Sequence, residues 1–191
     1  MEKYLQETNC IDFTAPEIQA KIAELNAGAK SKLEYIEKAF EFVRDEIPHS
    51  WDIGAEVVSR KASEVLKNGT GICWTKSCLL AALLRGNDVP AGICYQLLTR
   101  ADDDASEGYI IHALNYVYVE SLGKWIRLDA RGNKEGVDAQ FSLEEEHLAF
   151  DVRTGLGEVD YKVNMTDLDE RLVKILNEAK SVLEISTNFT M

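Results

Sequence analysis

Apolar residues near the start of the chain recur every three or four positions, which is the spacing of an amphipathic helix. Pro16 opens the first such run, and Gly28 is its predicted end. Ser31 followed by Glu34 is a capping-box signature that opens a second run, which Pro48 ends. The apolar positions of the two runs are Ile18, Ile22, Leu25, Leu33, Ile36, Phe40 and Val43. The pattern therefore predicts two N-terminal helices.

Two further helices are predicted after a loop. Residues 49–54 show no periodicity, so we expect an exposed loop there. Residues 62–67 predict a short helix, and Cys73–Arg85 predicts a longer, mostly apolar one that ends at Gly86. Residues 69–71 read Gly-Thr-Gly, so a glycine-containing turn enters the longer helix at Cys73.

The hydrophobic period changes to two in the second half of the chain, which is typical of strands. The predicted strands are residues 92–99, 110–119, 124–129, 148–152 and 159–163. Asp102, Asp103 and Asp104, together with Gly108, predict a solvated loop after the first strand. A final amphipathic helix is predicted to begin near Asp167. Because helices come first and strands later, the fold class is predicted to be α+β with an antiparallel sheet.

The chain of 191 residues shows no internal repeat and no linker-like stretch, so one domain spanning residues 1–191 is the simplest organisation. Its predicted core covers about residues 60–130. Residues 1–50 form a helical N-terminal part, and residues 151–191 form a C-terminal cover of strand and helix.

Charge and hydropathy argue against two classes of partner. The chain has 21 basic and 33 acidic residues, and its formal net charge of −12 repels phosphate backbones, so we expect no nucleic-acid partner. No apolar run approaches the roughly 20 residues that span a bilayer. The N-terminal residues also lack the basic and apolar regions of a signal peptide. We therefore expect a cytoplasmic protein with no membrane partner.

Cys73 is the cysteine whose position favours chemistry. Cys10, Cys78 and Cys94 are expected to be buried free thiols, and no paired Cys-x-x-Cys spacing suggests a zinc site. The unpaired backbone N–H groups at the start of a helix, and the positive end of its dipole, favour a thiolate over a thiol. The same N–H groups could bind an oxyanion.

His112 is the best candidate for a base that activates this thiol. If residues 120–123 form a four-residue hairpin loop, His112 lies opposite Arg131, and Asp129 is two residues away on the same face. Diagonal neighbours of this kind lie about 7–8 Å apart at the backbone, so the two side chains can meet. Asp129 could then fix the tautomer of His112 and stabilise its imidazolium form.

The other two histidines are weaker candidates for the base. His49 lies beside Trp51 and could be an alternative base or a wall of the cleft, although its place in a loop favours simple exposure. His147 follows Glu144, Glu145 and Glu146, which indicates a surface position.

In order and spacing, these residues resemble the transglutaminase-like superfamily, whose core is related to papain-like thiol proteases. The resemblance is carried by residues 62–66, Gly69-Thr70-Gly71-Ile72-Cys73, residues 79–85 and 89–91, His112-Ala113-Leu114-Asn115-Tyr116-Val117-Tyr118 and Trp125-Ile126-Arg127-Leu128-Asp129. His112 follows Cys73 by 39 residues, and Asp129 follows His112 by 17. The resemblance implies that Cys73 is a nucleophile, His112 its base and Asp129 the residue that orients the base. It also implies that the helix carrying Cys73 packs on an antiparallel sheet.

The chain departs from the pattern of the family that it resembles at several positions. Leu114 stands where the family usually has Trp. The zinc-binding cysteine pairs of peptide:N-glycanases are absent, and Gly69-Thr70-Gly71 replaces the Arg-Gly-Gly of arylamine acetyltransferases, so both branches are disfavoured. Family members often complete an oxyanion site with an aromatic or amide side chain, and Trp51 and Trp74 are the candidates here for that site or for the cleft wall.

The resemblance implies a thiol enzyme that transfers an acyl group at an amide bond through a thioester intermediate. We expect hydrolysis of a peptide, a protein or a small amide, because a small chain has little means of selecting a second substrate. The alternatives are a protein-glutamine transamidase or deamidase and a catalytically silent binding domain on the same fold. Neither a cofactor nor a metal is expected.

Overall fold

Five helices and four strands form the regular structure of residues 1–101 and 104–185, which are the residues that this computed structural model describes. The helices are α1 (Pro16–Ala27), α2 (Lys32–Glu41), α3 (Ala62–Asn68), α4 (Cys73–Arg85) and α5 (Glu170–Glu178), and the strands are β1 (Ala91–Ala101), β2 (Asp104–Val119), β3 (Lys124–Leu128) and β4 (Val159–Asp160). None of these helices is long and apolar enough to cross a membrane. The architecture is the predicted α+β class.

Helix α4 lies at the centre of the fold. Every residue from Trp74 to Arg85 is buried, as expected for a helix that is apolar on most of its circumference. Strands β1 and β2 pack on one side of α4, and helices α1, α2 and α3 also contact it. The helix therefore forms the common core of two layers, and its first residue is Cys73.

The sheet is antiparallel in the order β3-β2-β1-β4. In the β2–β3 hairpin, Val119 pairs with Lys124 and Asn115 pairs with Leu128, so the predicted hairpin register is confirmed. Gly123 closes the loop with a φ of 62°, a conformation that glycine adopts without strain. The ladder ends at Leu128, so it stops before Arg131 reaches the position opposite His112.

Three predictions about the sheet need correction. Strand β2 begins at Asp104, because its pairing with β1 continues as far as Ala101, so the prediction of a loop at Asp104 and Gly108 was wrong. The other residues of that predicted loop, Asp102 and Asp103, lie outside the described residues. Residues 148–152 lie outside the sheet, and the strand predicted for 159–163 is limited to Val159–Asp160, which pair with only two residues of β1.

The helix boundaries follow their caps. Ser31 Oγ accepts a hydrogen bond from Glu34 N at 3.1 Å, as the capping-box signature predicts. Helix α2 is continued by a π-helical segment, Phe42–Glu46. Helix α5 begins later than predicted, because the Asp169 side chain caps its first turn. Val182 lies in a separate 3₁₀ turn.

Arg85, the last residue of α4, joins three separate segments although it is only 2% exposed. Its Nε and Nη2 donate to the carbonyl of Ala91 at 2.9 and 2.7 Å. Nη1 donates to the carbonyl of Gln6 at 2.7 Å, and Nη2 also donates to that of Thr166 at 2.7 Å. The guanidinium therefore fixes the N-terminal segment and the segment before α5 against the start of β1.

Replacing Arg85 with Met keeps the apolar stem and removes the donors for these three carbonyls. We expect Arg85→Met to lower the free energy of unfolding by about 3 kcal/mol, since each poorly satisfied buried polar group costs roughly 1–3 kcal/mol. Urea denaturation measures the change. The control Lys174→Met alters an exposed side chain and should change stability by less than about 0.5 kcal/mol. A loss of under about 1 kcal/mol in Arg85→Met would contradict the role assigned to the guanidinium.

Candidate active site

Cys73 is placed at the start of α4 by a tight turn. Gly69 ends α3 with a φ of 66°, the left-handed conformation common at helix C-termini. At Gly71 a Cβ would lie 2.8 Å from Thr75 Oγ1, so the turn passes closer to α4 than a side chain allows. Cys73 is partly exposed and lines a cleft, whereas the other three cysteines are buried, as predicted.

The hairpin register brings His112 and Asp129 together. His112 lies on β2, and Asp129 directly follows the last residue of β3. His112 Nε2 lies 2.8 Å from Asp129 Oδ2. Because an ionised carboxylate can only accept, Nε2 carries the proton of this bond and Nδ1 is the nitrogen that remains. The Cys73 side chain is the hydrogen-bonding and electrostatic neighbour of this imidazole.

The carboxylate of Asp129 is held by further donors although it is buried. Ala149 N donates to Oδ2 at 3.0 Å, and Arg131 N donates to Oδ1 at 3.2 Å. Burial raises the pKa of Asp129, but His112 and these backbone N–H groups outweigh burial, and the pKa lies below its usual value. The ring of Phe150 meets the imidazole edge to face with centroids 5.2 Å apart, which shields the pair from water.

The same neighbours set the protonation of His112. Burial lowers the pKa of His112, but the charges of Asp129 and Cys73 and their hydrogen bonds raise it to about 10. The imidazolium form is therefore stabilised in the folded protein. A ring held in this way can take a proton from the thiol and return it to a leaving group.

A cleft of about 730 Å³ opens onto Cys73 and His112. Charged side chains of both signs line it, among them Arg131, Lys134 and Asp151. A second recess of about 20 Å³ lies beside Cys73 and is mainly apolar. The recess is lined by His49, Trp51, Ile72, Cys73, Trp74, Ile110, Ile111 and Ile185.

Trp51 and Trp74 both border the site, but their indole N–H groups have other acceptors. Trp51 lines the cleft and is 38% exposed, and its Nε1 donates to the carbonyl of Val182 at 3.0 Å. Trp74 is buried, and its Nε1 donates to the carbonyl of Ile111 at 2.7 Å. Both tryptophans therefore act as walls in this structure, and their N–H groups point to backbone carbonyls.

His49 is buried at 4% exposure, so the expectation of an exposed loop histidine was wrong. Its Nε2 accepts a hydrogen bond from the backbone N–H of Cys73 at 3.1 Å. The residue is drawn inward because His49 and Gly71 form a parallel bridge, with Ser50 N donating to Gly71 O at 3.0 Å. No periodicity marks such a bridge between two loops, so the sequence pattern could not reveal it. His147 is exposed, as predicted.

Within residues 1–101 and 104–185, no group of three or more His, Cys, Asp or Glu side chains is arranged to hold a metal ion. The site itself brings together a sulfur, an imidazole and a carboxylate, the three groups that nucleophilic acyl transfer can use.

Family comparison agrees with this geometry. A model of the transglutaminase-like superfamily core matches residues 19–130, more than half of the chain. The chain belongs to the transglutaminase-like superfamily. No match was found among curated proteins.

A solved structure shares the fold of this transglutaminase-like chain. It is named "Putative Cysteine Protease" and comes from Cytophaga hutchinsonii, with 16% sequence identity and a TM-score of 0.54. The match covers 67% of this chain and 40% of the other chain. At this identity the likeness shows the fold alone, namely N-terminal helices packed on a four-stranded antiparallel sheet.

Lys76 of this transglutaminase-like chain is a buried lysine that the sequence analysis missed. It lies one helical turn after Cys73 and is 0% exposed. Its Nζ donates to the carbonyl of Ile47 and, at 2.9 Å, to that of Arg131. Burial and the charge of Arg131 lower the pKa of Lys76 to about 7. Lys76 thus ties α4 to the loop that carries His49 and to the segment that follows Asp129.

The burial pattern predicts selective alkylation of Cys73 by iodoacetamide at pH 7, because the other three thiols are buried. We expect His112→Ala to slow this alkylation about tenfold or more, since no imidazole then takes the thiol proton. Peptide mapping by mass spectrometry measures the rate at each cysteine. His147→Ala is the matched control and should react like the wild type. An unchanged rate in His112→Ala would exclude His112 as the base.

The raised pKa of His112 also predicts a pH-dependent stability. A histidine that binds its proton more tightly in the folded state stabilises the fold fully below the unfolded pKa of about 6.5. This contribution is lost as the pH rises towards the folded value of about 10. The stability difference between the wild type and His112→Gln should therefore shrink by at least about 1.4 kcal/mol, the equivalent of one pKa unit, from pH 6 to pH 10. Urea denaturation at both pH values tests this, with His147→Gln as the control. A constant or growing difference would contradict the assignment.

Proposed function

We propose that this chain is a thiol hydrolase that cleaves amide bonds in a peptide, a protein or a small amide. The observation that carries the proposal is that Cys73 and His112 line one cleft, with Asp129 bonded to the far side of the imidazole. A sulfur that solvent can reach, beside a histidine that favours its protonated form, is the arrangement that covalent acyl transfer requires. The name of the Cytophaga hutchinsonii structure, "Putative Cysteine Protease", agrees with this choice.

In the first half of the reaction the thiol proton of Cys73 passes to Nδ1 of His112. The thiolate attacks the amide carbon and forms a tetrahedral oxyanion. The C–N bond then breaks, and His112 returns the proton to the departing amine, which leaves a thioester on Cys73. Asp129 stays ionised throughout and stabilises the imidazolium form of His112.

In the second half, His112 takes a proton from a water molecule as that water attacks the thioester carbon. The second tetrahedral intermediate collapses, the C–S bond breaks and a carboxylic acid leaves. The proton on His112 returns to the sulfur, so the enzyme is regenerated with no net change.

Access of water favours hydrolysis over transfer to an amine. The cleft beside Cys73 is wide, at about 730 Å³, and charged side chains such as Arg131, Lys134 and Asp151 line it. A polar cleft of this size stays hydrated, so water reaches the thioester before an amine that has no dedicated pocket. A transamidase would need to exclude that water.

The decisive experiment incubates the wild type and Cys73→Ala with a library of peptides and simple amides, with and without a biotinylated primary amine. We expect pairs of cleavage products whose masses add up to the substrate plus one water molecule, formed only by the wild type, with hydrolysis exceeding amine incorporation about tenfold or more. Mass spectrometry identifies both product types.

The other outcomes are equally informative. Predominant amine incorporation would replace hydrolysis by transamidation at the same site. Equal turnover by the wild type and Cys73→Ala would show that Cys73 does not take part in the reaction. Complete absence of turnover, with Cys73 still alkylated selectively, would favour the catalytically silent binding domain.

A further inference from the structure

Two backbone N–H groups approach the ring of His49, and each can donate to it only when the ring is in a different tautomer. Cys73 N donates to its Nε2 at 3.1 Å, and Trp51 N approaches its Nδ1 at 3.4 Å. A neutral imidazole has one nitrogen that accepts and one that donates, so only one of these bonds can exist at a time. With the proton on Nδ1, the N–H of Cys73 is satisfied. With the proton on Nε2, the N–H of Trp51 is satisfied and that of Cys73 is released.

The surroundings keep this ring neutral in both states. Burial and the charge of Arg131 hold the pKa of His49 well below its usual value, and the nearby charges of Lys76 and His112 act in the same direction. Asp52 opposes them, but its carboxylate is already bonded to Arg131 and to Lys134. The choice at His49 is therefore between two neutral tautomers, which avoids a buried unpaired charge.

The ring is also fixed in place beside the nucleophile. Thr70 Oγ1 donates to the carbonyl of Pro48 at 2.9 Å and lies 3.0 Å from Ser50 Oγ. Together with the bridge between His49 and Gly71, these bonds hold the backbone on both sides of the histidine against the turn that leads to Cys73. The edge of the Trp51 indole packs on the imidazole, with centroids 5.6 Å apart.

We propose that His49 is the side-chain donor of the oxyanion site and that it becomes a donor by switching its neutral tautomer when a carbonyl substrate reacts. This inference rests on the proposed thiol hydrolase function. In the resting state Nδ1 is protonated and Nε2 accepts a hydrogen bond from the N–H of Cys73. This N–H is therefore not free to bind an oxyanion. Nε2 and Cys73 N are 3.1 Å apart, so after the switch both donors lie beside the carbon that the Cys73 sulfur attacks.

The switch conserves protons and charge. One proton leaves Nδ1 to water, and one water proton joins Nε2, while the ring stays neutral. The N–H of Trp51 then donates to Nδ1, and the N–H of Cys73 is free to donate to the oxygen of the tetrahedral intermediate. The oxyanion thus gains two donors, and neither indole N–H has to leave its carbonyl. His49 lines the cleft, so water can reach it.

The test compares two reactions of Cys73 that differ in one respect. Alkylation by iodoacetamide occurs at a saturated carbon and forms no oxyanion, whereas acylation by p-nitrophenyl acetate passes through a tetrahedral oxyanion. We expect His49→Leu to slow acylation about 100-fold, the usual cost of losing one oxyanion donor, and to change alkylation less than threefold. His49→Gln restores an N–H donor and should acylate within about tenfold of the wild type. His147→Gln is the matched control and should behave like the wild type in both reactions.

The remaining outcomes separate this inference from the function on which it rests. Equal slowing of both reactions by His49→Leu would reduce His49 to a structural support for Cys73. Unchanged acylation in His49→Leu would show that His49 is not a donor of the oxyanion site. Failure of the wild type to acylate faster than Cys73→Ala would overturn the hydrolase function itself and this inference with it.

A second measurement reads the tautomer in the wild type, so it does not depend on the folding of a variant. ¹⁵N NMR distinguishes protonated from unprotonated imidazole nitrogens, and the chain has only three histidines to assign. Adding acetaldehyde forms a hemithioacetal on Cys73 whose oxygen occupies the oxyanion position. We expect the Nε2-protonated form of His49 to become the main tautomer on this addition. Persistence of the Nδ1-protonated form in the adduct would overturn the switch.

Discussion

Burial of α4 on all sides is the constraint on which both fold and site depend. A helix without a solvent face cannot rotate or slide without exposing apolar surface, so the direction of its first turn is fixed by the whole core. Cys73 is the first residue of this helix, so its position is fixed as well. Lys76, one turn later, fixes the two neighbouring loops relative to α4, because its Nζ donates to the carbonyls of Ile47 and Arg131. The candidate site is therefore rigid for the same reason that the domain core is stable.

The chemistry of the site depends on charges that are kept from water. Asp129 is 1% exposed, so its attraction for the imidazolium of His112 acts in a medium of low dielectric. The cost of burying that carboxylate is offset by the N–H groups of Ala149 and Arg131. The residues that supply the Ala149 bond, 148–152, were expected to form a strand. These residues lie over Asp129 instead of joining the sheet. An apolar run of this length is compatible with a strand and with such a covering loop.

The sequence could predict those parts of the site that follow from local rules. Cys73 was found from a turn and a helix start, and the pair of His112 and Asp129 was found from hairpin geometry, since one loop length sets every cross-strand neighbour. The remaining residues depend on contacts between distant loops. His49 is buried by its bridge to Gly71, and the Nζ of Lys76 donates to the carbonyls of Ile47 and Arg131. Neither contact produces a regular spacing of apolar residues in the sequence, so both could be identified only in the structure.

The two histidines beside Cys73 show how neighbours assign different tasks to one residue type. The charges and hydrogen bonds of Asp129 and Cys73 outweigh burial and raise the pKa of His112 to about 10, whereas burial and Arg131 lower that of His49. Arg131 acts on both: its backbone N–H donates to Asp129, and its guanidinium, bonded to Asp52, faces the side of the site that holds His49. A charged proton carrier on one side of the sulfur and a neutral ring on the other are what acyl transfer requires. Under the proposed function, His112 would move the proton, and His49 would donate to the oxyanion without adding a second positive charge to a buried site.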